Sequence, residues 1–374
     1  AGEAGRDYNT VDMSRVRMYN EYLPPYRAAV EAGVGSAMSS FNVVDGIPAT
    51  GNRWVLTDLL RGQWGFDGFT VSDAGSIQEM RAHGMGDMRD VAVLALKAGL
   101  DMDLGSEAYT QELTNALAQG RITEADIDLA CRRILEAKYR LGLFRDPYRF
   151  CDAGKAAEIL YSPANRRVAR SLAAESFVLL KNQDNILPLK PEGRIALIGP
   201  ILDSPEEIMG TWAWCGDSKL YTPILDVFRK RLEGKAEVIY ARGAEFVDAE
   251  PQSEVDNYLF GRGDRVAVHP TTEADYAEAV DAANLADVVV AFLGEHMLSS
   301  GESSSRTGLE LPSTHRELLA RLLATGKPVV LVNFSGRAVV LGWENEHVPA
   351  ILQAWSPGSE GGDALFDVIF GEVN

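Results

Sequence analysis

Cysteine and histidine are scarce in this chain. The three cysteines among 374 residues, Cys131, Cys151 and Cys215, stand far apart without metal-ligand spacing, and an odd count does not suggest a disulfide framework. Five scattered histidines include no His-x-x-x-His pair, which leaves zinc catalysis unsupported, so neither metal nor cofactor is expected. No run of 18 or more apolar residues occurs, so nothing reads as a membrane span. Positive charge is also in deficit: 36 Lys+Arg against 54 Asp+Glu give a formal net charge of -18. That sign argues against nucleic acid and anionic membrane surfaces and favours a neutral or cationic ligand. The first residues carry no charged-then-apolar leader, so a signal peptide is expected to be absent or already removed. Phosphate-binding glycine turns are missing as well. The segment Ile195-Ala-Leu-Ile-Gly-Pro200 ends a strand with one glycine and a proline that lacks the N–H a phosphate would want.

What the chain does contain is alternation. Ser36 to Phe41, Gly68 to Ser72 and Gly99 to Leu104 read as strands. Helical patterns over Asn52 to Trp64, Arg89 to Ala98, Tyr109 to Gln119 and Thr123 to Leu141 lie between and after them, with Thr123 and Asp126 as a cap pair for the last. The spacing of roughly 30 residues per unit is that of parallel strands with helical crossovers. About three strands before Phe144 are too few for a closed eight-stranded barrel. Residues 1–150 are therefore either a small open sheet or, as the opening in loop favours, part of a larger domain, with a linker at 151–162. A second βα series then predicts a doubly wound α/β sandwich over 163–374. Its strands are Ser176 to Lys181, Arg194 to Gly199, Ala236 to Ala241, Asp287 to Leu293, Val329 to Phe334 and Ala350 to Trp355. Ligands of such a sheet bind outside the carboxyl ends of its strands.

Two stretches carry chemistry. In Trp64-Gly-Phe-Asp-Gly-Phe-Thr-Val-Ser-Asp73 a short buried strand delivers a carboxylate to its last position, and Ala74-Gly75-Ser76 turns into a helix near Ile77. Catalytic groups of barrels sit at that end of the strands. A carboxylate or hydroxyl at a strand-to-helix turn also caps helices, so both readings of Asp73 and Ser76 stay open. The second stretch, Gly294 to Arg306, is a long polar loop with Glu295, Glu302 and Arg306. It is either a solvated surface loop or an arm that delivers a carboxyl group to a neighbouring site. Trp212-Ala-Trp214 lies on another loop of the same region; exposed aromatic pairs suit sugar stacking, and core packing is the alternative.

Several segments together resemble glycoside hydrolase family 3, and most of all its multidomain bacterial β-glucosidases. In the first half they are Met38-Ser-Ser-Phe-Asn42, Asp45-Gly-Ile-Pro-Ala-Thr-Gly-Asn52, Leu60 to Asp73 and Gly99-Leu-Asp-Met102. In the second half they are Ser176 to Asn182, Leu187-Pro-Leu189, Gly301-Glu-Ser-Ser-Ser-Arg306 and Pro357 to Gly362. The resemblance covers essentially the whole chain in the family's order. It implies a retaining, exo-acting β-glucosidase that removes terminal non-reducing β-D-glucosyl residues from oligosaccharides such as cellobiose. Asp73 matches the nucleophile and Glu302 the general acid/base, with Glu295 as the fallback acid should the loop alignment slip. The resemblance also implies that Met38 and Phe41 line the sugar subsite, that Trp214 clamps the next sugar, and that Arg306 orients Glu302 or a hydroxyl. Ala74 departs from the aromatic residue that many relatives carry there, which widens the expected aglycone side. The resemblance further implies an internal segment in which residues 1–150 are the C-terminal part of a (β/α)8 TIM-like barrel, with the sugar-gripping Lys-His pair and an Asp upstream and a fibronectin-like domain downstream. Such a segment is expected to be inactive alone. A periplasmic or secreted location is implied, with a cytoplasmic one left open, and a homo-oligomer is compatible. The alternatives are a β-xylosidase or other β-glycosidase of the family, or a non-catalytic sugar-binding fragment.

Overall fold

Apolar strands alternating with amphipathic helices build two units in the computed structural model, Ala1–Asp152 and Ala153–Asn374. The structure describes residues 10–213, 216–246, 270–302, 304 and 306–374.

In the first unit, β1 (Ser36–Met38) and β2 (Phe69–Val71) pair in parallel, with Met38 opposite Val71. On the other side of β2, Val71 makes a parallel bridge to Met102. Two of the three expected strands are thus present and parallel but shorter, and the expected strand Gly99 to Leu104 is reduced to the single bridge at Met102. The helix Trp54–Gln63, wound more widely than an α-helix, buries Leu56 and Leu59, whereas Trp54, Leu60 and Trp64 are only half-buried. Met88–Ala98 lays Val91, Ala92, Ala95 and Ala98 against Leu56, Ile77, Met80 and Leu100, one stripe at helical spacing forming the core of this unit. The expected cap pair is realised: the Thr123 hydroxyl accepts the Asp126 N–H, and the Asp126 carboxylate accepts the Thr123 N–H, starting Glu124–Arg140. The stretch Asn42 to Pro48 contains a hairpin of two-residue strands, Val43–Val44 with Ile47–Pro48. Asp45 and Gly46 sit at its turn with φ of 52° and 80°. Positive φ at both central residues is what an Asp-Gly hairpin turn provides.

Beneath β2 lies a buried charge cluster. The Asp101 carboxylate, its side chain 1% exposed, accepts from the Thr70 N–H at 2.8 Å, from Arg61 Nη2 at 2.6 Å and from Arg133 Nη1 at 2.7 Å. One anion thereby ties the strand to two helices.

In the second unit, six strands form one sheet: β3 (Val178–Asn182), β4 (Arg194–Ile198), β5 (Glu237–Ala241), β6 (Val288–Gly294), β7 (Val329–Phe334) and β8 (Ala350–Gln353). Their order is β3-β8-β7-β6-β4-β5; all pairs are parallel except β3 with β8. The near-continuous apolar strands are explained by cover on both faces. Ile195, Leu197, Val290, Phe292, Val330 and Val332 face the helices Ile224–Leu232 and Gly361–Ile369. Their strand neighbours Ala196, Ile198, Val289, Ala291, Val329 and Leu331 face Glu273–Leu285 and Ser313–Ala324. At the centre of the first face, Phe228 meets Phe292 and Phe366 edge-on at centroid distances of 5.5 and 5.2 Å. Burying such a ring contributes about 1.5–3 kcal/mol. The stretch expected to be an irregular linker carries a helix, Ala153–Ile159, and Pro163–Ser176 adds another. The latter is fixed to Gly361–Ile369 by charge: Arg166 to Glu360 at 2.7 Å and Arg170 to Asp367 at 2.6 Å. Its Val168 and Leu172 stay exposed, so no apolar stripe announced it.

Candidate active site

Asp73 follows β2 after one residue, and that residue is doubly held. The Ser72 N–H donates to the Met102 carbonyl at 2.9 Å, and the Ser72 hydroxyl oxygen accepts the Leu104 N–H at 2.8 Å. Asp73 itself is half-buried, and Oδ1 accepts the N–H of Ala74 at 2.6 Å. The helix Ser76–Glu79 is capped at Gly75, in the left-handed conformation (φ 76°), with no side-chain hydrogen bond. Helix capping, one of the two readings of Asp73, is therefore not what its carboxylate does. Nor does Ser76 cap: its hydroxyl accepts from Thr50 Oγ1 at 2.9 Å, and Thr50 lies 3.0 Å from Ser39 Oγ. All three hydroxyls are buried. This chain pins the exit of β1 and the 49–51 turn to the start of the helix after Asp73. Met38 projects from the end of β1 at 62% exposure, and Phe41 is half-buried just beyond it.

The second unit offers its site at a topological switch. β4 is followed by β5 on one side, and the chain then crosses to β6 on the other side of β4. Open α/β sheets bind ligands outside the carboxyl ends of the strands at such a point. The loop from the end of β6 carries Glu295 and Glu302, and it starts under steric constraint. Gly294 has φ 154°, and a Cβ there would strike the Phe334 carbonyl. Glu295 follows, its side chain 1% exposed, with Oε1 receiving Arg306 Nη1 and Oε2 receiving Arg337 Nε at 3.3 Å. Arg337 Nη2 also donates to the Ser299 carbonyl. From the loop after β4, the Thr211 hydroxyl lies within hydrogen-bonding distance of the Met297 and Ser300 carbonyls, and Glu207 accepts from His296 Nε2 at 3.1 Å and from the Met297 N–H at 2.7 Å. Gly301 lies against Thr211 with φ 107°, where a Cβ would come within 2.7 Å of the threonine methyl. Next comes Glu302. Trp212 is 59% exposed, whereas Trp214 lies outside the described residues.

Beside the switch, His315 is fully buried. Nδ1 accepts the Gly294 N–H at 3.1 Å, so the proton sits on Nε2, which faces the Glu245 carbonyl at 3.1 Å. Burial pushes its pKa down to about 4, because a cation there would lose water and the Gly294 bond. Sequence reasoning passed over Asp101, Glu207, His296, Thr211, His315 and Arg337. Asp101 lies inside the run read as the strand Gly99 to Leu104, and Arg337 stands just past β7, positions that could have marked them. The others are joined only by long-range contacts.

Each unit presents a carboxyl group at the carboxyl end of a parallel strand, on scaffolds without a metal-binding cluster among the described residues. Such groups do acid, base and nucleophilic work in carbohydrate hydrolases. The comparisons narrow the class. Residues 177–374 match the glycosyl hydrolase family 3 C-terminal domain and residues 1–137 the glycosyl hydrolase family 3 N terminal domain, and the chain belongs to that family. It is 41% identical to a periplasmic beta-glucosidase of Salmonella typhimurium over 379 residues, covering 100% of this chain and 49% of that protein. A beta-xylosidase of Formosa agariphila is 34% identical, with 97% of this chain and 49% of that protein covered. The crystal structure of a beta-glucosidase from Listeria innocua in complex with isofagomine superposes with a TM-score of 0.88 at 35% identity, covering 100% of this chain and 48% of that one. The chain thus spans about half the length of the relatives it matches.

Proposed function

We propose that this chain carries the two catalytic carboxyl groups of a retaining, exo-acting β-glucosidase. Asp73 attacks the anomeric carbon of a terminal non-reducing β-D-glucosyl unit. Glu302 gives a proton to the departing glycosidic oxygen, and the C–O bond breaks as the glycosyl–Asp73 ester forms. Glu302, now ionised, takes a proton from water, whose oxygen displaces Asp73 and releases glucose with its configuration retained. This mechanism requires the two carboxyl groups about 5–5.5 Å apart across the bond being cut. Met38 and Phe41 are the proposed subsite-lining residues, with Trp214 for the following sugar. A periplasmic location follows the Salmonella relative.

The observation that carries the reading is the state of Asp73. Its carboxylate stands at a strand exit and takes its one hydrogen bond among the described residues from the adjacent Ala74 N–H. It has no capping or ion-pair duty there that would explain it structurally. A second reading, β-xylosidase, is favoured by the Formosa relative and differs at the sugar C6 group alone. The test is hydrolysis of aryl β-glucosides and aryl β-xylosides by the intact protein, with the anomer of the first-formed sugar read by proton NMR. A β-glucose product from a preferred glucoside supports the proposal. An α-anomer would refute retention, and a dominant xyloside rate would move the substrate.

A further inference from the structure

We propose that Glu295 is a positioning residue that closes the neck of the Glu302-bearing loop by bridging Arg306 at the loop's far end to Arg337 at the exit of β7. The proposal rests on Glu302 being the acid/base.

The loop would otherwise be free to wander. It leaves β6 at Gly294 and is polar, and among its described residues helical structure covers only Met297–Ser299. A loop of this length with joined ends behaves as a compact unit, and one with open ends does not. Glu295 joins them. Its own N–H donates to the Phe334 carbonyl at 2.8 Å, which fixes it to β7. Its carboxylate then receives Arg306, four positions after Glu302, and Arg337, which also reaches the Ser299 carbonyl. Both oxygens carry guanidinium donors and the side chain is 1% exposed. That leaves no face on which Glu295 could meet a glycosidic oxygen, so it acts through the loop.

Further struts set the loop's interior: Thr211 on the Met297 and Ser300 carbonyls, the Ser304 hydroxyl on the Leu298 carbonyl at 3.0 Å, and the Glu207–His296 pair. The Thr211 and Glu207 struts hold the rising arm and the Ser304 bond joins the two arms, whereas the Arg306 contact with Glu295 is, among these bonds, the one that ties the descending arm back to the sheet exit. Opening the neck therefore shifts Glu302 without touching substrate.

The experiment uses the intact protein with Glu295→Ala, Glu295→Gln and Glu302→Gln. Two substrates are compared: cellobiose, which needs the proton, and a dinitrophenyl β-glucoside, which leaves without one. Misplacing a catalytic group by about 1 Å costs roughly 10²-fold. Glu295→Ala should therefore lower kcat/KM on cellobiose about 100-fold and spare kcat/KM of the dinitrophenyl substrate, whose glycosylation step needs no proton. Glu295→Gln, which still accepts a guanidinium bond, should recover about 10-fold of that loss. A catalytic acid would lose as much in either variant. Hydrogen exchange over 296–302 should rise in Glu295→Ala while β6 and β7 keep their protection. Arg306→Lys, with the charge kept and the fork lost, gives the same pattern in milder form should Glu295→Ala fail to fold.

Unchanged exchange in the loop would overturn the positioning role. So would equal losses in Glu295→Ala and Glu295→Gln with azide rescue, which would make Glu295 the acid/base. Wild-type cellobiose turnover by Glu302→Gln would instead defeat the functional assignment, and the exchange result would still decide the neck.

Discussion

The carboxylates of the two units are held in opposite ways. Asp73 is fixed by what precedes it: Ser72 is bonded to both flanks of the next segment, β2 is anchored from below by Asp101, and one N–H orients the carboxylate. Glu302 is eight positions beyond the end of β6, and its placement depends on contacts from the loops after β4 and β7. A nucleophile must meet one carbon on a fixed line, and a strand exit supplies that at little entropic cost. An acid that later becomes a base must serve a leaving group and then a water, and a braced loop can do so. The difference predicts that damage to the first unit's site is local and severe, whereas damage to the second spreads through many partners.

The largest expected effect comes from Asp73. Asp73→Ala in the intact protein should lower turnover of every β-glucoside by several orders of magnitude, on the order of 5–8 kcal/mol, with no dependence on the leaving group. A loss confined to poor leaving groups would make Asp73 the acid instead and erase the contrast between the units. Next in size is Glu302→Ala, which should lower kcat/KM for cellobiose by about 10³-fold while sparing kcat/KM of activated aryl glucosides, whose slowed second step azide should accelerate. Equal losses on both substrates would remove Glu302 from proton transfer.

Smaller effects concern the supports. Asp101→Asn leaves Arg61 and Arg133 without their shared anion below β2. Removing one partner of a buried ion pair costs about 3–5 kcal/mol, so denaturant unfolding of the first unit should shift by that much. A change below about 1 kcal/mol would show that β2 keeps its place without the cluster. His315 gives the smallest effect and a pH signature in the second unit. Its folded-state pKa is about 4, below the roughly 6.5 of an exposed histidine. Above pH 6.5 neither state binds the proton and the stability is fully present. Between 6.5 and 4 the unfolded chain takes up a proton that the folded unit refuses, and about 3 kcal/mol is lost as the pH falls through that window. In His315→Gln that portion of the pH dependence should vanish, as read from urea midpoints of the second unit at pH 7.5 and 4.5. An unaltered slope would place the acid sensitivity elsewhere.

Much of the fold was legible because its signals are local. The runs that became β4, β6 and β7 are apolar on both faces, the Thr123–Asp126 pair capped the helix it promised, and Asp73 stood at a strand exit as read. What escaped lacks a local signal. Pro163–Ser176 is docked by Arg166 and Arg170 to acids nearly two hundred residues away, not by an apolar stripe. The direction of β3 depends on its partner β8, which a strand pattern does not encode. The role of Glu295 escaped for the same reason. Its partners lie 11 and 42 positions along the chain, and only folding β7 beside β6 brings Arg337 to it.

The most direct measurement is covalent trapping. The intact protein, treated with an activated 2-deoxy-2-fluoro β-glucoside, should accumulate a glycosyl-enzyme because the fluorine slows its hydrolysis more than its formation. Peptic digestion and mass spectrometry should then find the added sugar on the peptide spanning Phe69 to Ile77, with fragmentation placing it on Asp73. A label on any other residue, or inactivation without a covalent adduct, would contradict the account.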